Sequence, residues 1–386
     1  MQQRPIGIIE LYQHNEVLIH YCDLLLFGKQ RLYVFCSTLI YDDLPERLKK
    51  SSIIWFLDDK DKNIDKFIKK NEAPIKECRF LLITTVFTDF SSFIKVASWK
   101  KSALIIHSAH TWLRPFRHIH LRKGHQIADT FRLFKSLFMR QAFLRKKLLK
   151  KVDYIALPND AILKYVRENF TAPKNAEFVS IPFACFEGRK AVLAKAHTTF
   201  TITGSLGDDV RDYRAVLEAL KILLPALNRK IKLILLGVAK RKSGQLLKEE
   251  FDQLKHPFLE VITFSAYISQ MDYENYLFET DYLILPLKKY TQFYVFRELT
   301  CFSKLSGSVN DMVRFGIPAI ASEHCTVDEL VDKSIFYYEN PKELAGLMLE
   351  LALKEKRHNT KEELKAVYAR HLKETIYQKI MAIIDN

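Results

Sequence analysis

Short apolar runs alternate with helical segments through most of this 386-residue chain, and the alternation starts twice. The first series predicts a strand at residues 5–10, a helix at 15–27 and further strands up to residues 178–182. The second series starts with a strand at residues 199–204. Short buried strands separated by helices form parallel sheets that are covered on both faces. The predicted fold class is therefore α/β, with two Rossmann-like doubly wound domains facing a central cleft.

A polar, weakly patterned segment separates the two series and sets the domain boundaries. We predict an N-terminal domain at residues 1–186, a linker at 187–197 and a C-terminal domain at 198–360. Residues 361–386 are predicted to form a C-terminal helix that packs back on the N-terminal domain. Ligands of open α/β sheets bind outside the carboxyl ends of the strands, so site residues are expected there.

The composition narrows the classes of protein and partner. A net charge of +15 and a pI of about 9.3 favour an acidic partner, whether nucleic acid, an anionic membrane or a phosphorylated substrate. No apolar run is long enough to span a bilayer. The first residues lack the apolar core of a signal peptide, which predicts a cytoplasmic protein. The six cysteines are scattered without Cys-x-x-Cys spacing, which favours reduced core residues over a zinc site or disulfides.

The segment Ser303–Ser322 combines a small polar start with a short helix and a stop signal. Ser306-Gly307-Ser308 precedes an apolar helical run, and Gly316-Ile317-Pro318 ends it. A helix N-terminus with a glycine before it is a ready site for a phosphate or pyrophosphate, because free N–H groups point at the ligand. The alternative is an ordinary capped helix start.

Four motifs of the second series, in this order, resemble the GT-B glycosyltransferases, most closely the retaining family four. The motifs are Thr203-Gly204-Ser205-Leu206 followed by Arg211, Leu233–Gly237, Asp281–Leu287 and Asn310–Pro318. The resemblance implies a nucleotide-sugar-dependent hexosyltransferase of the retaining type, whose C-terminal domain binds the donor. It implies no cofactor besides the nucleotide-sugar substrate, and the absence of an Asp-x-Asp motif in a cleft-edge position argues against an essential metal. The donor-binding residues that it implies are Arg211, Lys304, Ser306, Gly307, Ser308, Asn310 and Asp311.

Two positions depart from the resembled family. Asp311 stands where the family has the second Glu of its Glu-x7-Glu motif, and it is expected to accept a hydrogen bond from the ribose. Ser303 stands where the first Glu would be, and a serine cannot replace a carboxylate near the donor sugar. A second hypothesis therefore stays open, in which the chain is a catalytically inactive, glycosyltransferase-like binding or scaffold subunit.

Histidines follow two of the predicted strands. His107 and His110 come at and after the end of the strand at residues 103–107, where an imidazole can orient a hydroxyl or share charge. The resemblance implies a functional histidine after this strand, so both are predicted to be catalytic, with His107 the better match. His14, Asn15 and Glu16 follow the first strand and are predicted acceptor or cleft-edge residues. The alternatives are a structural histidine and a helix cap.

Residues 131–151 are both basic and apolar at helical spacing. Phe131, Phe134 and Phe138 recur at intervals of three and four. Such a helix is typical of one that lies on an anionic bilayer, although a core helix with a basic outer face is the alternative. We therefore predict peripheral association with the inner membrane face and a glycan or lipid-linked saccharide acceptor. Nucleic acid is not an expected partner, because no nucleic-acid motif accompanies the charge. The predicted membrane contacts are Arg132, Lys135, Arg140, Arg145, Lys146 and Lys147.

Overall fold

A computed structural model describes residues 3–12, 14–58, 63–121, 126–138, 141–188, 197–207, 209–293, 295–354 and 361–386. The chain divides into two compact units. The first unit contains residues 1–183, 293–298 and 373–386, and the second contains residues 184–292 and 299–372. Within the described ranges, no helix is long and apolar enough to cross a membrane.

The first unit is built on a seven-stranded parallel sheet with the strand order β3-β2-β1-β4-β5-β6-β7. Ile8 of the central strand aligns with Val34 on one side and Leu82 on the other. The chain runs outward from β1 in one direction and then returns to β1's other side at β4, so the strand order reverses between β1 and β4. The strands are β1 (Ile6–Glu10), β2 (Leu32–Ser37), β3 (Ile54–Asp58), β4 (Phe80–Ile83), β5 (Ser102–Ile105), β6 (Tyr154–Leu157) and β7 (Glu177–Ser180).

Helices connect these strands, and the last helix of the chain also belongs to the first unit. They are α1 (Asn15–Phe27), α2 (Thr38–Asp42), α3 (Glu46–Lys49), α4 (Ile64–Lys70), α5 (Glu72–Glu77), α6 (Phe90–Trp99), α7 (Ala109–Leu113), α8 (Gln126–Phe138), α9 (Gln141–Leu149), α10 (Asp160–Asn169) and α18 (Lys373–Asp385).

The second unit repeats the plan with a six-stranded parallel sheet of order β10-β9-β8-β11-β14-β15. Its strands are β8 (Thr198–Thr203), β9 (Ile231–Val238), β10 (Leu259–Phe264), β11 (Tyr282–Leu285), β14 (Ala319–Ser322) and β15 (Ile335–Tyr338). Outside the two large sheets, β12 (Tyr290–Phe293) and β13 (Phe296–Leu299) form a two-stranded ribbon. The helices are α11 (Tyr213–Leu223), α12 (Arg241–Asp252), α13 (Gln270–Glu279), α14 (Gly307–Phe315), α15 (Glu329–Asp332), α16 (Pro341–Leu353) and α17 (Lys361–Val367).

Strands in the middle of each sheet are buried along their length, as in a parallel sheet that helices cover on both faces. Every residue of β1, β4, β5 and β8 is buried. In the second unit, buried side chains form two core clusters, one around Phe200 and Leu220 and the other around Leu283 and Phe315. The predicted class, α/β with two Rossmann-like doubly wound sheets, is confirmed.

The C-terminal helix packs within the first unit. In α18, the Tyr377 hydroxyl lies 2.8 Å from the Gln30 side-chain nitrogen that donates to it, and Lys379 pairs with Asp160 of α10 at 2.5 Å. The helix α17, by contrast, belongs to the second unit. Residues 189–196 of the predicted linker lie outside the described residues.

The basic apolar segment differs from its prediction. It forms two helices, α8 and α9, instead of the single helical pattern that the spacing suggested. The expectation that Arg145 contacts a membrane is wrong, because its guanidinium lies inside the first unit over the rings of Phe90 and Trp112, at 5.5 and 5.4 Å from their centroids. Leu148 on the next turn is buried with it, so this face of α9 faces the core.

Candidate functional site

In the second unit, Arg211 lies at the point where the strand order reverses. β8 has β9 on one side and β11 on the other, and ligands of such sheets bind at this switch point. Arg211 follows β8 by eight residues and forms an antiparallel bridge with Leu287, just after β11. The next amide, Asp212 N, donates to Pro286 O at 2.6 Å. These backbone contacts fix Arg211 at the carboxyl ends of β8 and β11.

Gly204 makes room for the Arg211 side chain. Its φ is +96°, a conformation that residues with a Cβ rarely adopt. A Cβ built there would lie 2.2 Å from Arg211 Nη2. The same Nη2 donates to Ser308 Oγ at 2.9 Å, and Ser308 Oγ donates to Thr203 O at 3.2 Å. The glycine of the first motif thus serves to seat the guanidinium against the start of α14.

The charge of Arg211 has no counter-charge from the described part of the chain. No Asp or Glu oxygen there lies within ion-pair distance of its guanidinium. Its Nε and the hydroxyl of Thr203 are buried without a hydrogen-bond partner. Buried donors that lack partners cost free energy, so this corner holds polar groups that the described part of the fold leaves unsatisfied. This corner of the second unit is therefore electrostatically suited to a phosphate group.

The N-terminus of α14 adds amide donors to the same corner. Ser306 precedes the helix in an extended conformation, and its side chain makes no capping hydrogen bond. The first amides of a helix have no intrahelical partner and carry partial positive charge. Gly316 ends the helix in the left-handed conformation. Of the other predicted donor-binding residues, Gly307 is exposed at the helix start, and Lys304 and Asn310 are half-buried.

Asp311 and Ser303 make different kinds of contact. The Tyr273 hydroxyl of α13 donates to Asp311 Oδ2 at 2.8 Å, which orients that carboxylate. Ser303 is 1% exposed, and its Oγ accepts from Leu299 N at 2.7 Å. The Ser303 hydroxyl therefore holds the backbone of its own loop. No sequence pattern pointed to Tyr273, because it lies 38 residues from Asp311 along the chain.

In the first unit, His14 and His107 are neighbours at the equivalent switch point, between β1 and β4. His14 Nδ1 lies 3.2 Å from His107 Nε2, and the rings meet edge to face with centroids 4.4 Å apart. Thr85 Oγ1 lies 3.1 Å from His14 Nδ1 and 3.5 Å from His107 Nε2. A cluster of two imidazoles and a hydroxyl can pass or share a proton. Both histidines were predicted as site residues, but their contact with each other was not predicted.

Glu10 contacts this cluster through the Thr85 side chain and the His14 backbone. It is the last residue of β1 and is fully buried, and burial raises the pKa of its carboxyl. Glu10 Oε1 accepts from Tyr12 N at 2.7 Å, while Thr84 Oγ1 lies 2.6 Å from Oε2 and 3.0 Å from Ile9 O. The hydrogen bonds that the Thr84 hydroxyl and the Tyr12 amide donate favour the ionised carboxylate and oppose the effect of burial on its pKa. Glu10 was not predicted as a site residue, although an acidic residue at the end of an apolar strand could have indicated it.

His110 belongs to a different, buried cluster. It is 5% exposed, with Nε2 2.8 Å from the Tyr165 hydroxyl and Nδ1 3.0 Å from Arg297 O. Its ring stacks on His118 with centroids 3.7 Å apart. These contacts are those of a histidine that holds structure together. Of the other predicted cleft-edge residues, Asn15 donates to Asp43 at 3.3 Å, and Glu16 is exposed in the first turn of α1.

The carboxylate of Glu298 was not predicted, although it organises this cluster. It is fully buried and accepts from His110 N at 3.2 Å, Thr111 N at 2.8 Å and Thr111 Oγ1 at 2.5 Å. It therefore caps α7 from a segment almost 190 residues later in the chain. Arg145 donates to Thr111 O beside it, and burial lowers the pKa of Arg145 to about 10 while Glu298 opposes that shift.

The predicted membrane contacts are only partly visible. Lys146 and Lys147 are exposed on α9. Arg140 and the side chains of Arg132 and Lys135 lie outside what the structure describes.

Solved structures of similar fold cover the whole chain. A pneumococcal O-GlcNAc transferase, in complex with UDP and GlcNAc, is 9% identical with a TM-score of 0.59, over 100% of this chain and 99% of that one. A lipopolysaccharide outer core galactosyltransferase is 10% identical with a TM-score of 0.54, over 99% of both chains. A putative UDP-N-acetylglucosamine 2-epimerase from Listeria monocytogenes is 11% identical with a TM-score of 0.55, over 100% and 96%. The resemblance to the GT-B fold is therefore confirmed.

At the level of sequence, no protein-family model and no curated protein matches this chain. At such low identity, the structural likeness establishes the fold, and function has to be argued from the site.

Proposed function

We propose that this protein is a nucleotide-sugar-dependent glycosyltransferase whose second unit binds the donor. The observation that carries the proposal is Arg211, a seated guanidinium without a carboxylate partner among the described residues, beside the start of α14. A nucleoside diphosphate brings two negative charges to such a site. Charge-assisted hydrogen bonds to phosphate from arginine and helix amides are among the strongest that proteins form.

The site residues have separate roles in the proposed reaction. Arg211 and the amides of Gly307 and Ser308 stabilise the charge that develops on the leaving diphosphate. Lys304 adds a cation from the preceding loop. Asp311, oriented by Tyr273, accepts a hydrogen bond from a ribose hydroxyl, and Asn310 lies beside it in α14. The proposed reaction transfers a hexose with retention of anomeric configuration, as the resemblance to family four implies.

The proposed acceptor is a glycan or a lipid-linked saccharide at the cytoplasmic face of the membrane. His14 and His107 stand at the switch point of the first unit, where the imidazoles can orient an acceptor hydroxyl. The charge of +15 favours an anionic membrane surface, and nucleic acid is not among the proposed partners. His110 is not given a chemical role, since its ring nitrogens are engaged by Tyr165 and Arg297.

A donor-hydrolysis screen tests the reaction. The purified protein is incubated with uridine, guanosine and cytidine diphosphate sugars, and the released nucleotide and the anomer of the product are followed by NMR. We expect the wild type to turn over one donor and to release a sugar with the anomeric configuration of that donor. Arg211→Gln is expected to lose most of this turnover. Equal turnover by wild type and Arg211→Gln would contradict the assigned site.

One observation favours a second function, that of a catalytically inactive binding or scaffold subunit. Ser303 stands where the resembled family has its sugar-side Glu, and its hydroxyl is bound to Leu299 N. A chain of this kind would bind a nucleotide with the same Arg211 dependence but turn over no donor. Binding by calorimetry combined with no hydrolysis of any donor in the screen therefore selects the second function over the first.

A further inference from the structure

Helix α8 exposes apolar side chains and buries an acidic one, the reverse of an ordinary surface helix. Ile127, Phe131 and Phe134 are 90%, 71% and 66% exposed and share one face at spacings of four and three. Asp129, two positions from Ile127 and on the opposite face, is fully buried. A surface helix of a water-soluble protein normally turns its apolar stripe to the core. The solvent-facing side of α8 is thus apolar.

The neighbouring elements extend this apolar surface and carry exposed positive charge. α8 contacts α9, where Phe143 is 65% exposed and Lys146 and Lys147 point to solvent. Phe116 and Arg117, before α8, are also exposed. Residues 109–151 contain twelve lysines and arginines and a single carboxylate, the buried Asp129. Large exposed apolar patches mark interaction sites, and the charge around this one selects an anionic partner.

We propose that the exposed face of α8 lies in the interface of an anionic phospholipid bilayer. Ile127, Phe131 and Phe134 enter the boundary between headgroups and acyl chains, and the flanking Lys and Arg side chains contact lipid phosphates. This inference deepens the membrane location in the proposed function and is independent of sugar transfer. Arg145 is not among the proposed membrane contacts, because its guanidinium is buried.

Other partners fit this surface less well. A second copy of the chain would bring one strongly basic surface against another, and like charges repel. A nucleic acid would match the charge but leaves the apolar stripe without a role, since phosphate contacts supply most of nonspecific binding. A bilayer uses both features at once, because apolar side chains enter it while cations remain at its surface.

Vesicle sedimentation tests the surface directly. Wild type is expected to bind phosphatidylcholine vesicles that contain phosphatidylglycerol and to bind pure phosphatidylcholine vesicles weakly. The triple variant I127S/F131S/F134S is expected to lose about tenfold or more in partition, because each removed side chain gives up its transfer free energy. Leu39→Ser, which removes an exposed leucine from α2 of the same unit, is the matched control and keeps wild-type binding.

A fluorescence reporter checks insertion without removing the apolar face. Ile127→Trp is expected to show a blue shift on addition of anionic vesicles, and the response of the three native tryptophans in wild type is subtracted. Wild-type sedimentation by the triple variant would overturn the proposal, as would an I127W emission that vesicles leave unchanged. So would a triple variant that binds vesicles normally but loses bound RNA or self-association. Failure of nucleotide binding leaves these readouts unaffected, so the two proposals fail separately.

Discussion

At the scale of single residues, two buried charged groups stabilise the first unit through their hydrogen-bond and ring partners. Glu298 and Arg145 are both buried in the first unit, which takes two charged groups out of water. The carboxylate offsets this by accepting from two amides and a hydroxyl at the start of α7, two residues after His107. The guanidinium is held by Thr111 O and two aromatic rings. Breaking one side of such an arrangement leaves a buried charge uncompensated.

Removing the carboxylate is therefore expected to be costly. Glu298→Ala should destabilise the protein by about 3–5 kcal/mol, because Arg145 loses a nearby negative charge and the α7 donors lose their acceptor. Urea denaturation measures the change. The control is Glu177→Ala, which removes an exposed pair with Arg167 at 3.6 Å and should cost less than about 1 kcal/mol. Similar costs for the two variants would mean that Glu298 does not anchor α7.

His118 predicts a pH dependence at the same scale. Burial, with the nearby His110, Arg114 and Arg117 side chains, lowers the pKa of His118 from 6.5 to about 4. Between pH 4 and 6.5 the unfolded chain therefore binds a proton at His118 that the folded chain does not bind. The contribution of neutral His118 to the free energy of unfolding is complete above pH 6.5 and is lost as the pH falls towards 4. The stability difference between wild type and His118→Gln should narrow over that range, as followed by thermal unfolding. A difference that is constant with pH would contradict this assignment.

At the scale of elements, sequence patterns predicted what local order determines. Helix α1 begins at Asn15 and ends at Phe27 as predicted, because Gly28 and a charged turn follow it. The buried strands were predicted since continuous apolar runs of four to six residues suit a covered parallel sheet. The short helices α2 and α3 and the ribbon β12–β13 were not predicted, because segments of four or five residues are too short to show a helical period or a clear alternation.

The docking of α18 on α1 gives a prediction about two elements. Gly28 has a negative φ, so a side chain there is not strained by the backbone, but a Cβ would lie 2.0 Å from the Tyr377 ring. Gly28→Ala is expected to cost about 1–3 kcal/mol from overpacking. The cost should fall when Tyr377 is already Ala, as a double-mutant cycle measures. Additive effects of the two changes would show that α18 does not pack as described.

At the scale of the whole molecule, the two parallel sheets share the order of six strands, and each has polar groups at its own switch point. Arg211, Ser308 and Asp311 were predictable because they sit in motifs of fixed order, and His14 and His107 because they follow buried strands. The missed residues Tyr273, Thr85 and Glu298 act through partners that tertiary structure alone brings together. Arg145 was misassigned because its basic neighbours in sequence are exposed while it is buried.

The central claim is a nucleoside diphosphate site at Arg211, and titration calorimetry tests it most directly. Uridine, guanosine and cytidine diphosphates are titrated into wild type, Arg211→Gln and Gly204→Ala, with Gly346→Ala as a control whose Cβ meets no atom within 4 Å. At least one nucleotide should bind wild type and the control alike. Both site variants should bind it roughly tenfold or more weakly, since each disturbs charge-assisted hydrogen bonds to phosphate. Binding of no nucleotide, or equal binding by all four proteins, would contradict the account.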